Sequence, residues 1–462
     1  MSASLRNRKV VVLGLGVTGL SAARWAARRG ANVTVADTRA DPPRAAQLAT
    51  ELAGVPVVKG PFSDKTFAGA DLVVISPGIA KTLPPIAAAV ARGVELVGDV
   101  ELFARALPPD QRVLAVTGSN GKTTVSALTG ELVRASGLSV AVVGNIGEPV
   151  LDTLAEHEEG APWPDVFVVE LSSFQLETTA SLKPAAAAVL NISENHLDRY
   201  SGIDDYAAAK ERIFSGEGQQ VLNRDDSRSL SMRIPGRRVQ TFGAGAPPTA
   251  RDWGLIEQSG SKSRWLAHGD ASLVAADELA LVGHHNALNA LASLALTSTL
   301  AKIDAAVLAA LTTFQGLPHR MERVADIGGV LFVNDSKGTT VAATLAALEG
   351  IGRTTVLIAG GDGKGQDFRP LRSSVDSHCR AVVLIGRDAP TIAAALSGVT
   401  PAIEFAPVLE VAVARAIAHA KPGDAVLLSP ACASLDMFRD YVERGDRFKA
   451  AVATHAMESA HA

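Results

Sequence analysis

The chain has 462 residues, which at about 150 residues per domain predicts three domains. Its 44 Lys and Arg against 48 Asp and Glu give a formal charge of −4, with no basic surplus to grip a nucleic-acid backbone. Hydrophobic residues at 47% and charged residues at 20% exclude a disordered chain, and two cysteines, Cys379 and Cys432, exclude a disulfide framework or a zinc cluster.

Short β-branched runs alternate with Ala-rich helical stretches from the start. Lys9–Leu13, Asn32–Ala36, Pro56–Lys59, Leu72–Ile75 and Glu95–Val97 read as strands buried on both faces, with helices over Gly19–Arg29 and Leu83–Arg92. That alternation predicts a parallel α/β sheet. Val10–Leu13 is too short an apolar segment for an export signal. No apolar run approaches the ~18 residues of a membrane span, so a cytoplasmic protein without membrane insertion is expected.

Pro108 and Pro109 mark a first boundary, after which Arg112–Val116, Ser139–Val143, Val166–Val169, Ala187–Asn191 and Gln220–Leu222 form a second series of strands. Between Val239 and Val282 short strands separated by Gly, Ser and Asp predict antiparallel hairpins added to that sheet. Helices follow over Asn286–Leu300 and Ala305–Phe314, and Gly316, Pro318 and His319 mark a second boundary. Val330–Val333, Thr355–Ala359, Ala381–Ile385 and Ala425–Leu428 are the strands of a third α/β series. The small, polar tail after Ala450 is expected to fray.

Two glycine turns carry chemistry. Gly14-Leu15-Gly16-Val17-Thr18-Gly19 follows a strand and opens a helix, the context in which backbone N–H groups meet a pyrophosphate. With Asp37 closing the second strand it suits NAD, another phosphate-bearing nucleotide, or merely a close helix–strand packing. Thr117-Gly118-Ser119-Asn120-Gly121-Lys122-Thr123-Thr124 lies between the strand Val113–Val116 and a helix, a turn built to cradle phosphates. Only two residues separate its glycines, where the usual phosphate loop has four. Glu170 ends a buried strand beside this loop, where a Mg²⁺-binding carboxylate is expected; His196 and Asp198 follow the next strand toward the same sheet edge.

These residues resemble the Mur ligases, whose ATP signature is the short loop Thr117–Thr124, shared with folylpolyglutamate synthase. Gly144-Asn145-Ile146-Gly147, the run from Glu170 to Glu177, Asn195–Tyr200 and His285–Ala290 extend the resemblance. Pro318-His319-Arg320, Asn334–Lys337, Gly360–Gly365 and Ser429–Ser434 complete it, so that it runs from Gly14 to about Phe448. It implies three domains: a Rossmann-like one over 1–100 for a UDP-linked substrate, a central ATPase-like mixed sheet over 101–316, and a Rossmann-like amino-acid domain over 317–462. The implied reaction activates the carboxylate of UDP-N-acetylmuramoyl-L-alanine as an acyl phosphate, which D-glutamate then attacks, leaving ADP and phosphate. A monomer is expected, acting in cytoplasmic peptidoglycan precursor synthesis.

By resemblance, Gly118, Ser119, Asn120, Gly121, Lys122, Thr123 and Thr124 bind ATP phosphates, with Asn286 and Asn289 at the adenine and Arg320 and Asp335 on the nucleotide side of the third domain. Thr123 and Glu170 hold one Mg²⁺. His196 and Lys210, the latter as a carbamate, hold a second. Lys122, Glu170, His196, Lys210 and Asn145 are the catalytic set. The first glycine turn then binds UDP rather than NAD, through Val17, Thr18, Asp37, Thr38, Arg39, Ser76, Gly78 and Asn145. Lys337, Thr339, Lys364, Ser434 and Tyr441 match the D-glutamate positions. Asn195 stands where the family often has Asp, and Tyr441 where it commonly has Phe.

Overall fold

The structure is a computed structural model that describes residues 5–194, 199–258, 263–281 and 283–461. By internal contacts the chain divides into two compact units. One comprises Met1–Ile256, Ala267–Leu273 and Leu291–Ala310, and the other Glu257–Leu266, Val274–Ala290 and Leu311–Ala462.

The first unit opens with β1 (Lys9–Leu13), β2 (Asn32–Asp37), β3 (Val57–Lys59), β4 (Leu72–Ile75) and β5 (Glu95–Val97), in the spatial order β3-β2-β1-β4-β5. All four pairings are parallel, with Val10 opposite both Val33 and Leu72. Buried on both faces, β1 and β4 are nearly pure aliphatic, as a covered parallel sheet requires. This is the Rossmann-like arrangement the sequence predicts.

A nine-stranded sheet follows. Its strands are β6 (Arg112–Thr117), β7 (Val140–Gly144), β8 (Val166–Glu170), β9 (Ala186–Val189), β10 (Gln219–Asn223), β11 (Val239–Phe242), β12 (Trp253–Glu257), β13 (Arg264–His268) and β14 (Ala271–Ala275). Their order is β14-β13-β12-β11-β10-β9-β6-β8-β7, parallel from β12 through β7. The expected antiparallel hairpins therefore begin later than the sequence suggested, because β11 and β12 run parallel, with Phe242 opposite Trp253. The linking segment is held by Arg224, which donates to the carbonyls of Trp253 at 2.6 Å and Gly243 at 3.2 Å. β13 and β14, joined by Gly269 and Asp270 alone, have a link so short that it forces antiparallel pairing.

One continuous core serves both of these sheets. It takes Val10, Val35 and Val74 from the first, Phe103 from the helix Asp99–Ala106, and Val113, Phe167 and Val169 from the second. Phe103 and Phe167 meet edge to face at 5.2 Å. Ion pairs rim the join: Arg24 with Asp152 at 3.3 Å, Arg28 with Glu159 at 2.7 Å, and Arg29 with Glu158.

The second unit carries β15 (Glu322–Ile327), β16 (Val330–Asn334), β17 (Thr355–Gly360), β18 (Cys379–Ile385), β19 (Ala402–Phe405) and β20 (Ala425–Leu428), in the order β15-β16-β20-β17-β18-β19. Only β15 is antiparallel. Successive residues of β17 alternate between two cores, Leu357 and Ala359 on one face and Val356 and Ile358 on the other, the period-two signature of a covered strand.

The C-terminal tail does not fray as expected. A helix runs over Tyr441–His461, packed on the helix Leu409–His419, β15 and β16, because its apolar residues Phe448 and Val452, one turn apart, are buried in the core beneath it. His455, polar in sequence, packs on the Phe332 ring at 6.4 Å between centroids. Cys379 and Cys432 are free thiols. Among the described residues no helix is long and apolar enough to cross a membrane.

Candidate active site

Strand β6 ends at Thr117, whose hydroxyl donates to the Leu171 carbonyl at 2.7 Å, and the chain then turns into the helix Lys122–Ala135. Gly121 caps that helix at φ +83°, a left-handed conformation that favours glycine. The spacing of the turn is unusual, and an asparagine not singled out from the sequence fixes it. Asn191, just beyond β9, accepts from the Ser119 N–H through its carbonyl and from the Asn120 N–H through Oδ1, both at 2.8 Å. Its Nδ2 returns a bond to the Asn120 carbonyl at 3.1 Å. Ser119 is held again by Tyr206, the two hydroxyls 3.2 Å apart. Thr123 and Thr124 open the helix, where N–H groups and the positive dipole end favour phosphate oxygens.

Two lysines converge on this turn. The Lys122 ammonium donates to the carbonyls of Gly118 and Ser119, both at 2.9 Å. Lys210, on the helix Ile203–Glu211, reaches the same Gly118 carbonyl at 2.9 Å and the Thr117 hydroxyl at 3.3 Å. It is 1% exposed and lies 4.6 Å from the Tyr206 ring. Burial, reinforced by the neighbouring Lys122 charge and opposed by Glu170, holds its amine well below the usual lysine range.

Glu170 closes β8 and is fully buried. Its Oε1 accepts from Asn145 Nδ2 at 2.7 Å, and its carbonyl accepts from the Asn145 N–H at 2.9 Å. Its Oε2 is buried without a hydrogen-bond partner among the described residues. A buried carboxylate oxygen with spare lone pairs, beside a hydroxyl-bearing phosphate turn, is hard-oxygen chemistry that fits Mg²⁺. No group of three His, Cys, Asp or Glu side chains able to hold a metal occurs among the described residues. His196 and Asn195 lie outside the described residues, as does Asp198.

The N-terminal glycine turn is equally specific in its packing. Gly14 has φ +87°, and a Cβ on Gly19 would stand 1.7 Å from the Gly14 carbonyl oxygen, so that position admits only glycine. Gly16 and Gly78 face open space. Gly16 precedes the helix Val17–Arg28 without a side-chain cap, leaving Val17 and Thr18 at an open N-terminus. Ser76 Oγ sits against the Gly14 carbonyl at 3.4 Å. Asp37 is buried. One of its oxygens accepts the Leu15 N–H at 2.7 Å, and Arg39 closes on it through Nε at 2.8 Å and Nη2 at 2.6 Å. The guanidinium contact, with the backbone bonds, drives the carboxyl down to about 2. Thr38 lies exposed between the pair.

In the second unit the residues matched to glutamate sit beyond the carboxyl ends of three adjacent strands, where open α/β sheets take their ligands. Lys337 and Thr339 follow β16, Lys364 follows β17, and Ser434 follows β20. The Lys337 ammonium lies 3.7 Å from the Tyr441 ring centre. Lys364 is exposed at φ +49°, its N–H on Asp362 at 3.0 Å, and Ser434 is buried. Asp335 accepts from Ser429 Oγ at 2.8 Å and from the Met321 N–H at 3.2 Å, beside the half-buried Arg320, and burial raises its carboxyl to about 7. Asn289 donates to Asn286 Oδ1 at 2.9 Å across one helical turn. Arg444, which no sequence signal separates from Arg439 or Arg447, is fully buried among these loops.

Three family descriptions match in chain order: "Mur ligase MurD-like, N-terminal domain" over 8–98, "Mur ligase middle domain" over 116–297, and "Mur ligase, glutamate ligase domain" over 319–432. The chain belongs to the Mur ligase family. It is 55% identical to the UDP-N-acetylmuramoylalanine–D-glutamate ligase of Thiobacillus denitrificans, covering 99% of this chain and 98% of that one. It is 53% identical to the same-named protein of Methylobacillus flagellatus, covering 97% of each. The fold matches the UDP-N-acetylmuramate-alanine ligase MurC of Thermotoga maritima, with TM-score 0.58, 20% identity, and 97% and 99% of the two chains covered. MurF of Acinetobacter baumannii matches with TM-score 0.54 and 19% identity, over 79% of this chain and 83% of that one.

Proposed function

We propose that this chain joins D-glutamate to UDP-N-acetylmuramoyl-L-alanine in peptidoglycan precursor synthesis, using ATP and releasing ADP and phosphate. The observation that carries the reading is near full-length similarity, at 55% identity, to a relative of that name. It is supported by a phosphate turn with two lysines on one carbonyl beside the buried Glu170.

The chemical difficulty is charge, since a carboxylate must attack a triphosphate. Lys122, now resting on its own loop, would swing to the β- and γ-phosphates, while the turn 118–124, with Ser119 and Asn120 pinned by Asn191, holds the rest of the chain of phosphates at the helix start of Thr123 and Thr124. Mg²⁺, held by Thr123 and Glu170 and at a second position by His196 and the Lys210 carbamate, would neutralise the charge developing in transfer. The lowered Lys210 basicity suits that modification, because only the neutral amine adds carbon dioxide. Asn145 orients Glu170 and the reacting carboxylate. Asn286 and Asn289 take the adenine, with Arg320 and Asp335 also on the nucleotide.

Val17, Thr18, Asp37, Thr38, Arg39, Ser76 and Gly78 bind the UDP moiety. Arg39 is half exposed, which leaves guanidinium N–H groups to meet a diphosphate. Lys337, Thr339, Lys364, Ser434 and Tyr441 bind D-glutamate, two cations suiting a dicarboxylate. In this reading the functional divisions are 1–100, 101–316 and 317–462, and the protein is a cytoplasmic monomer.

Phosphate release measured with each of the three substrates omitted in turn, and with D- and L-glutamate side by side, tests the function. Release should require all three and favour the D-isomer. Release without the UDP substrate, or equal rates with L-lysine, would overturn it.

A further inference from the structure

Arg444 lies in the first turn of the C-terminal helix and is fully buried. Its Nε donates to Ser336 Oγ at 3.0 Å, and its Nη2 donates to the Ser336 carbonyl at 2.8 Å and the Cys432 carbonyl at 3.1 Å. Ser336 Oγ in turn donates to the Tyr441 carbonyl at 2.7 Å. All of these partners are neutral, and Nη1 is buried with no hydrogen-bond partner among the described residues. A buried cation held only by neutral oxygens is costly, and an arginine cannot escape by losing its proton at neutral pH. Burial, opposed by the side chains of Cys432, Asp436 and Asp335, none of which is hydrogen-bonded to the guanidinium, brings this one down only to about 10, far above the working range.

The residues it touches are significant by their neighbours. Ser336 precedes Lys337, Cys432 stands two before Ser434, and Tyr441 begins the helix that carries the arginine itself. The same segment reaches the fourth position too, since Ala433 exchanges backbone hydrogen bonds with Asp362, at 2.8 Å and 2.9 Å, two residues before Lys364. One guanidinium therefore joins the loops beyond β16 and β20 to the helix start, and through the β20 loop it is linked to the loop beyond β17.

We propose that Arg444 is a positioning residue of the amino-acid pocket, holding the loops of Lys337, Ser434 and Tyr441 in register and adding positive charge beneath them for a dicarboxylate. The inference rests on the reading that those residues bind D-glutamate. It explains why a cation, and not an apolar residue of similar volume, occupies this position: a hydrophobic replacement could fill the space but would neither direct three bonds nor attract an anion. The loss should fall on glutamate affinity and spare the other two substrates.

Steady-state kinetics of the full-length enzyme test this with Arg444→Met, Arg444→Lys and Ser336→Ala. Arg444→Met should raise the KM for D-glutamate at least about tenfold, with the KM values for ATP and the UDP substrate unchanged within about twofold. Arg444→Lys, which keeps charge but not the fork of bonds, should fall between it and the parent, and Ser336→Ala should raise the same KM less. A lower kcat and melting temperature with the glutamate KM unchanged, or equal rises in all three KM values, would overturn the proposal by marking a merely structural role. Should Arg444→Met fail to fold, a parental glutamate KM in Arg444→Lys overturns it equally. The parent enzyme separates the two readings: if it releases no phosphate with D-glutamate, the assignment of function fails. If it does, and the variants keep its KM, only the role of Arg444 fails.

Discussion

Asn145 gives a short side-chain hydrogen bond to Glu170, 2.7 Å from Nδ2 to Oε1, and leaves Oε2 of that buried carboxylate without a partner among the described residues. The amide thus fixes the rotation of the carboxylate while one oxygen stays available. Glu170→Gln should lower kcat by about 10² to 10³-fold, the scale for removing one electrostatic contact to a reacting centre. It should also weaken Mn²⁺ binding, read by titration without substrates. Asn145→Ala, which leaves the charge but frees the rotation, should be the milder of the two. Unchanged Mn²⁺ affinity in Glu170→Gln would remove Glu170 from the metal site.

Lys122 and Lys210 share the Gly118 carbonyl but should fail differently. Lys122→Ala loses the mobile cation and should be nearly inactive under all conditions. Lys210→Ala should be inactive yet partly restored by acetate, a small carboxylate able to occupy the space of a lysine carbamate. Phosphate release with and without acetate distinguishes them, and full activity of Lys210→Ala without acetate would dismiss the modification.

Asp335 makes a prediction about pH. Burial raises its carboxyl to about 7, above the unfolded value of 3.8, so the native state binds the proton more tightly than the unfolded chain does. The sign follows: the cost of burying the charge is absent below about pH 4 and grows as pH rises toward 7, where stability is lost. Asp335→Asn should therefore melt higher than the parent at pH 8, with the difference closing toward pH 4, while ATP-dependent turnover falls. An unchanged difference across that range would refute the assignment.

Gly16 and Gly19 lie three residues apart in one turn and should respond unequally to the same change. A methyl at Gly19 would meet the Gly14 carbonyl oxygen at 1.7 Å, a clash only backbone movement can relieve. Gly19→Ala should cost more than about 3 kcal/mol in a denaturant titration. Gly16→Ala, with open space at the Cβ position, should cost less than about 1 kcal/mol. Equal costs would mean that the packing at Gly19 is not what excludes a side chain.

Much of this was legible in the sequence because it is local. β1, β4, β6 and β8 are continuous aliphatic runs, and the two glycine turns follow them directly. What could not be read depends on distant partners. Asn191 fixes the phosphate turn from 71 residues away, and nothing near it in sequence marks that role. Arg444 resembles its exposed neighbours Arg439 and Arg447 until the fold buries it. The helical tail is another such case, since Phe448 and Val452 find their cover only in the assembled core. The same holds for the pairing of β11 with β12, which Arg224 supports from outside both strands.

The core shared by the first two sheets has a consequence for dissecting the molecule. Phe103 comes from the helix after β5 and covers Phe167 of β8, and the arginines of the first helix meet the acids of the helix Val150–Glu158 and its end. Cutting the chain before β6 would strip aromatic cover from one fragment and leave an unmatched apolar face on the other. The N-terminal sheet is therefore not a cassette that could be expressed alone or exchanged for a relative's, unless the opposite face is exchanged with it. New substrate preferences in this portion must arise at the rim of the glycine turn, while the layer beneath it changes only in matched pairs.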